Sequence, residues 1–361
     1  MLDTTIQRIG PLDRAAMNEA RRHHDSLAIP RGSLGMLHEL GVRLAGITGT
    51  PLPEMKRLAV VTMAGDHGVA AQGVSCFPSE VTCQMVNNFL LGGAAINVLT
   101  RHVGARLTVV DMGVAGRLPE PALTGNRKTR FLARRIADGT QDISLGPAMS
   151  IEHARKAVEA GIRVFEEELE LGLDALGTGD MGIGNTTPSS AIAAVLLKRD
   201  PVELVNRGTG LDDYALRNKI EVVKRALAVN APDPDNPLDV LAKVGGYEIG
   251  GIAGLVLAAC AHRVPVMVDG FISTSAALLA SRFHPHVKDY LFSGHRCHVL
   301  GHDLILSSLG LRPLVDLDMR LGEGTGAAFG LSILAAAARI GAEMLTFEQA
   351  AVTNPNEERA Y

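Results

Sequence analysis

In Leu321-Gly322-Glu323-Gly324-Thr325-Gly326 a carboxylate is flanked on both sides by glycine. Such glycines let the backbone approach a ligand closely, and the acid follows the apolar Met319 and precedes an Ala-rich stretch. A carboxyl group among apolar neighbours has its pKa raised towards neutrality, as a general base working near pH 7 requires. Glu323 could equally cap the helix that follows, and the pattern alone leaves both readings open.

A second loop runs Gly177-Thr178-Gly179-Asp180-Met181-Gly182-Ile183-Gly184-Asn185-Thr186-Thr187-Pro188. Its glycines remove Cβ atoms, so that backbone N–H groups can converge on an anion, and Asn185 to Pro188 open a helix whose positive end faces the same place. That describes a phosphate cradle; a tight turn needing several positive φ angles is the alternative. No Gly-Lys-Ser/Thr follows, which excludes a Walker A loop. Nor is this a convincing dinucleotide fingerprint, because the chain about 20 residues on reads Lys198-Arg199-Asp200-Pro201 instead of ending a strand on an acid.

Histidines crowd one region, where His284, His286, His295, His298 and His302 are five of the twelve. His298 and His302, at i and i+4 beside Cys297 and Asp303, make a metal site conceivable. No H-E-x-x-H occurs and the spacings fit no closed ligand set, so hydrogen-bonded or solvent-facing imidazoles are expected and no metal. Asp66-His67 could be an acid–base pair, or a turn in which Asp66 orders the loop.

These loops must be held by a sizeable fold, since 361 residues correspond to about two ordinary domains or one large one. A composition 47% hydrophobic and 20% charged, with mean hydropathy +0.16, excludes extended disorder. With 4% aromatics and no Trp, the core must be built from Ala, Val, Leu and Ile, and 39 glycines suit an α/β protein with many tight turns. A net charge of −4 argues against nucleic acid as a partner. The basic run Arg127, Lys128, Arg130, Arg134 and Arg135 reads as a solvated face or edge strand in preference to an anion site. Cys76, Cys83, Cys260 and Cys297 form no C-x-x-C pair and no disulfide framework, which points to a reducing compartment. The N-terminus MLDTTIQRIG carries no secretion signal, and the longest apolar stretches (249–261 and 324–338) are short and Gly-interrupted. A cytoplasmic protein without a membrane partner is expected.

Short apolar runs at 58–64, 107–113, 173–179, 264–270 and 289–294 read as doubly buried parallel strands. Helical windows alternate with them at 79–102, 150–170, 188–198, 213–229, 248–262, 273–283, 297–309 and 324–339. Thr187-Pro188 reads as a cap with proline at the first helical position, and Asp212 or Asp213 as the next cap. The pattern implies βαβ units: an α/β, three-layer, Rossmann-like parallel-sheet domain over 51–339. Residues 1–50, with helices at 14–26 and 34–48, would pack with 340–361, including a short helix at 347–352, as a smaller helical lobe. Ligands of such sheets bind at the carboxyl ends of the strands, here the loops 65–75, 177–188, 269–274 and 293–296.

The stretches GDHGVAAQGVSCFPSEVTCQMVNNFLLGGAAINVL, GDMGIGNTTPSSA, KVGGYEIGGIAG, VPVMVDGFISTSAALLA and DMRLGEGTGAAFG together resemble the nicotinate-nucleotide:dimethylbenzimidazole phosphoribosyltransferase family. The resemblance runs in order, nearly without gaps, from about residue 32 to residue 350. It implies transfer of the phosphoribosyl group of nicotinate mononucleotide to a benzimidazole nitrogen, giving an α-ribazole 5′-phosphate and free nicotinate. The departing pyridine already carries positive charge, so no general acid is needed; a base must take the N–H proton of the incoming azole. Glu323 matches the family's catalytic glutamate, and Asp180 a second active-site carboxylate. Gly182, Asn185 and Thr186, with Lys219 in Arg217-Asn218-Lys219, Cys297 and Gly322, would hold phosphate and ribose. Phe77, in Ser75-Cys76-Phe77-Pro78, and Met85, Met181 and Leu321 would line the azole pocket. No pyrophosphate leaves, so neither a metal nor a cofactor is implied, and the family resemblance suggests a homodimer.

The chain departs from the family pattern at four places. Asp180 stands for a usual Glu, Cys297 for a phosphate-contacting Ser, Val299 for a Glu and Ile29 for a common Lys. Two alternatives follow: the same scaffold acting on another acceptor, such as a purine or a phenol, or a non-catalytic partner subunit of a hetero-oligomer. The intact Glu323 loop speaks against the second.

Overall fold

Runs such as Leu58-Ala-Val-Val-Thr-Met-Ala, apolar on both faces, can satisfy their backbone only inside a sheet covered on both sides. The computed structural model describes residues 1–116, 118, 129–208, 210 and 212–354. Its strands are β1 (Leu58–Gly65), β2 (Arg106–Gly113), β3 (Thr129–Ala133), β4 (Ala175–Met181), β5 (Val266–Val268), β6 (Leu291–His295) and β7 (Pro313–Val315). They form one sheet in the order β3-β2-β1-β4-β5-β6-β7, with every neighbouring pair parallel. All eight residues of β1 are buried, and Met63 lies opposite Val110 on one side and Asp180 on the other. The strand order reverses between β1 and β4, where open α/β sheets leave a crevice.

The five strands expected from the sequence are all present, and the sheet adds the edge strands β3 and β7. β3 carries part of the basic run. Arg130 donates to Glu167 and Glu168 at 2.7 Å each, and Arg134 pairs with Glu167. Arg135 pairs instead with Asp111 of β2 and with Asp138, so the described part of the run is an edge neutralised by its neighbours; Arg127 and Lys128 lie outside the described residues.

Before the sheet come α1 (Leu2–Gln7), α2 (Arg14–Ser26) and α3 (Met36–Thr48). The helix expected over 79–102 is broken into α4 (Glu80–Leu91) and α5 (Ala95–Val103), because Gly92 takes a left-handed φ of 83° and its N–H closes on Asn88 O. α6 (Ile151–Glu170) begins where Ser150 accepts from His153 N, and α8 (Asp213–Asn230) where Asp212 accepts from Ala215 N. Between them α7 (Thr186–Leu197) starts earlier than expected: Asn185 occupies the cap position, and Pro188 sits inside the first turn, where its missing N–H costs no helical bond.

α9 (Pro237–Val244), not anticipated, is capped by Asn236. α10 (Tyr247–Ala261), α11 (Phe271–Ala280) and α12 (His302–Leu309) follow; α12 starts later than the expected 297, after Gly301 at φ 89°. α13 (Thr325–Glu343) packs against β4 and β6 and, further along, against α3. It is the one helix among the described residues long and apolar enough to cross a membrane. The helix expected at 347–352 is a series of turns. Phe347 N bonds to Ser26 O and Thr346 bridges Leu27, which ties the segment to the end of α2, while Ala350 N, Ala351 N and Val352 N close local turns on Thr346, Glu348 and Phe347.

Helices cover both faces of the sheet. α6 packs closely on α10, where a Cβ on Gly254 would fall 1.9 Å from Val158 O.

Candidate active site

The loops leaving β1, β4, β5 and β6 meet the Glu323 loop around a cavity of about 300 Å³. One wall is apolar. Phe77, Val81 and Met85 recur every four residues along α4 and its approach, and Met181, Ile183, Ile272, Val299 and Leu321 face the same space. The polar end is formed by Asp180, Asn185, Thr186, Asn206 and Gly208, and Glu323 enters beside Gly322. Arg320 also lines it.

Glu323 owes its position to a rare backbone conformation. Gly322, Glu323 and Gly324 have φ of 87°, 65° and 100°, three left-handed residues in succession. Only glycine adopts this region without steric cost, so the strain is confined to the glutamate. Thr62 Oγ1 donates to Glu323 O at 2.7 Å, and Glu323 N donates to Asp180 O at 3.2 Å. The turn lies so close to β4 that a Cβ on Gly179 would come within 2.3 Å of Glu323 O.

The side chain does not cap its own helix. Asp269, from the end of β5, accepts from Gly324, Gly326 and Ala327 N–H groups at the start of α13. Glu323 reaches the start of α5, where its Oε2 accepts from Ile96 N at 3.3 Å. Of the two readings open in the sequence, the capping one is therefore excluded by geometry. Burial raises the Glu323 carboxyl to about 7, opposed by the Ile96 N–H and reinforced by Asp269.

Asp180 is buried at the end of β4, with Oδ2 accepting from Asn185 Nδ2 at 3.0 Å and Oδ1 unpartnered. Burial first, then the negative Asp269, Glu248 and Glu323, push it well above the usual carboxylate range. Behind Gly182 lies His67, whose Nε2 is 2.8 Å from Glu248 Oε1. His67 is thus paired with a glutamate from α10. Asp66 ties its loop to the segment after β2 instead of ordering its own turn, with Oδ2 accepting from Ala115 N at 2.7 Å.

The structure brings Phe77, Met85, Asp180, Met181, Gly182, Asn185, Thr186, Cys297, Leu321, Gly322 and Glu323 to this one cavity. Lys219 stands behind it, wholly buried, with Nζ donating to Thr186 Oγ1 at 2.6 Å and Asn206 O at 3.3 Å. Burial lowers its ammonium to about 8. Burial also pushes the Cys297 thiol up to about 12. Among the described residues no three His, Cys, Asp or Glu side chains converge as a metal site. His302 is buried against Thr274 Oγ1 at 3.1 Å, whereas His298 is exposed.

Sequence reasoning did not single out Asp269, Val81, Asn206 or Ile272. Asp269 opened a loop read as a ligand-binding segment, and that was its only signal. Val81 could have been found from its spacing, one helical turn from both Phe77 and Met85.

A family model described as Phosphoribosyltransferase matches residues 9–352. The nicotinate-nucleotide--dimethylbenzimidazole phosphoribosyltransferase of Desulforudis audaxviator is 53% identical over 99% of each chain. That of Geobacter sulfurreducens is 49% identical over 98% of each. The crystal structure of the Thermus thermophilus enzyme of the same name superposes with TM-score 0.88 at 43% identity, over 95% of this chain and 100% of that one. A second structure, CobT from the same organism, gives 0.89 at 44% identity, over 94% and 99%. The seven-stranded parallel sheet, the cavity at its carboxyl edge and these full-length similarities together establish that the chain belongs to the nicotinate-nucleotide–dimethylbenzimidazole phosphoribosyltransferase family.

Proposed function

We propose that this chain moves the phosphoribosyl group of nicotinate mononucleotide onto a ring nitrogen of a benzimidazole-type base, releasing nicotinate. The observation that carries the reading is Glu323. It is a carboxylate with a pKa near 7, in a largely apolar cavity that also receives the start of α7. The azole nitrogen lone pair attacks the anomeric carbon as the bond to the pyridinium nitrogen breaks, and that electron pair leaves neutralised on the pyridine ring. The azole N–H proton passes to Glu323, so atoms and charge balance without a metal.

In this reading the monophosphate sits at Gly182, Asn185 and Thr186, with the Lys219 charge delivered behind Thr186 and with Cys297 and Gly322 beside the ribose. The flat acceptor lies against Phe77, Met85, Met181 and Leu321, whose surfaces suit an aromatic ring. Asp180, whose pKa is raised by burial and by the carboxylates around it, turns its unpartnered Oδ1 to the sugar. A cytoplasmic homodimer belongs to the same reading, as does a small helical lobe built from residues 1–50 and the segment from 340 onward, of which 355–361 lie outside the described residues.

The test is direct. Purified protein is incubated with nicotinate mononucleotide and a panel of benzimidazoles, purines and phenols, and ribotides and nicotinate are followed by mass spectrometry. A benzimidazole ribotide is expected from the wild-type chain, and Glu323→Gln should lower turnover by roughly 10²- to 10⁴-fold. Near-native turnover in that variant, with normal folding, would remove Glu323 as the base.

A further inference from the structure

The turn carrying Glu323 is held only in part by its own sequence, through Thr325 N and Oγ1, which both donate to Gly322 O. Three left-handed residues in a row are strained, and such strain persists only where surrounding structure over-determines it. Thr62 Oγ1 and the Asp180 carbonyl hold Glu323's own backbone, and the start of the helix beyond it is restrained by Asp269, fully buried at the end of β5. Its Oδ2 accepts from Gly324 N at 3.0 Å, and its Oδ1 accepts from Gly326 N at 2.7 Å and Ala327 N at 3.1 Å. A residue 55 positions away in sequence thereby does the work of an N-cap, satisfying donors the first turn of α13 cannot satisfy itself. Behind it stands His295 of β6, with Nδ1 3.7 Å from Asp269 Oδ1, beyond hydrogen-bond distance, and neither ring nitrogen hydrogen-bonded. The ring lies so close to the helix start that a Cβ on Gly326 would meet Nδ1 at 1.8 Å.

We propose that Asp269, backed by His295, is a positioning residue for the base: it clamps the start of α13 and so aims the Glu323 carboxylate into the cavity. The proposal rests on the reading of Glu323 as base. The clamp also places a negative charge beside Glu323, and that charge raises the carboxyl further than burial alone. Other titratable groups facing the cluster are Asp180 from β4, Glu248 from α10 with its partner His67, Cys297, and His302 from α12, whose ring centroid lies 6.4 Å from that of His295.

Asp269→Asn keeps one acceptor oxygen, replaces the other with a donor facing an N–H, and removes the charge. If the clamp aims the base, kcat should fall about 10²-fold while KM for nicotinate mononucleotide stays unchanged. The acid limb of the rate profile should also move to lower pH, because a neighbouring negative charge no longer opposes ionisation of Glu323. A purely structural role would lower stability and leave the kcat of the folded enzyme near its wild-type value. His295→Gln should move the limb the same way by a smaller shift.

Hydrogen exchange in the wild-type chain gives a measurement that needs no variant to fold. The Gly324, Gly326 and Ala327 amides should exchange slowly, unlike the free donors of an uncapped helix. Fast exchange at these amides overturns the proposal, as does a folded Asp269→Asn with wild-type kcat and an unmoved limb. If Asp269→Asn does not fold, an unmoved limb in His295→Gln does the same. Failure of the base reading is seen separately, as retained turnover in Glu323→Gln.

Discussion

The ammonium of Lys219 donates to Thr186 Oγ1 across 2.6 Å, so the positive charge at the polar end of the cavity stands behind a threonine hydroxyl. Lys219 is wholly buried, and burial brings its pKa down from 10.5 to about 8. The charge is therefore present at neutral pH and lost as pH rises through that value.

Affinity for the monophosphate should accordingly weaken above about pH 8. Lys219→Met should raise KM for nicotinate mononucleotide and flatten this dependence. The linkage sign is opposite for the ligand-free fold. Between about 8 and 10.5 the unfolded chain holds the Lys219 proton and the folded chain does not, so this lysine's contribution to stability rises with pH across that window. Denaturant titrations of wild type and Lys219→Met at several pH values, taken as differences, isolate it.

For the base itself, the ionised form is the active one. Turnover under saturating substrates should rise with pH through an apparent pKa near 7, the value to which burial lifts Glu323. A limb near 4.5, the unperturbed value for a glutamate, would mean that the carboxylate is solvated in the complex or that another group limits the rate.

Asp180→Glu should fold and turn over at least as fast as wild type. The longer side chain restores the reach usual in the family, and the present carboxylate has an unpartnered Oδ1 on a cavity-lining residue. Lost activity with unchanged melting temperature would show instead that the shorter acid is matched to this chain's acceptor.

Met85→Gln places an amide among Phe77, Val81 and Leu321. A polar group on an apolar wall penalises apolar acceptors more than polar ones. The ranking of acceptors in competition assays should therefore change, while KM for nicotinate mononucleotide stays near its wild-type value. An unchanged ranking would place the acceptor away from α4.

What the sequence determined by itself was local. Five apolar runs between glycine-rich loops specify buried parallel strands, because no other arrangement satisfies such backbone while hiding both faces. The loop 177–188, at the carboxyl end of one of those strands, put Asp180, Gly182 and Asn185 at the ligand edge before any coordinates, whereas Glu323 stood out by its own glycine-flanked loop and Phe77 only through the family resemblance. Short segments carried too little pattern to read. β7 is only three residues long, and β3 exists because β2 offers it an edge. Tertiary structure also decided between local readings of equal standing. Glu323 points to the start of α5 because Asp269 already occupies the start of α13. His67 pairs with Glu248 across 181 residues of sequence, not with the adjacent Asp66. Thr346 and Phe347 are held by Leu27 and Ser26. In each case the deciding partner is distant along the chain and close in space, and local spacing carries no record of it.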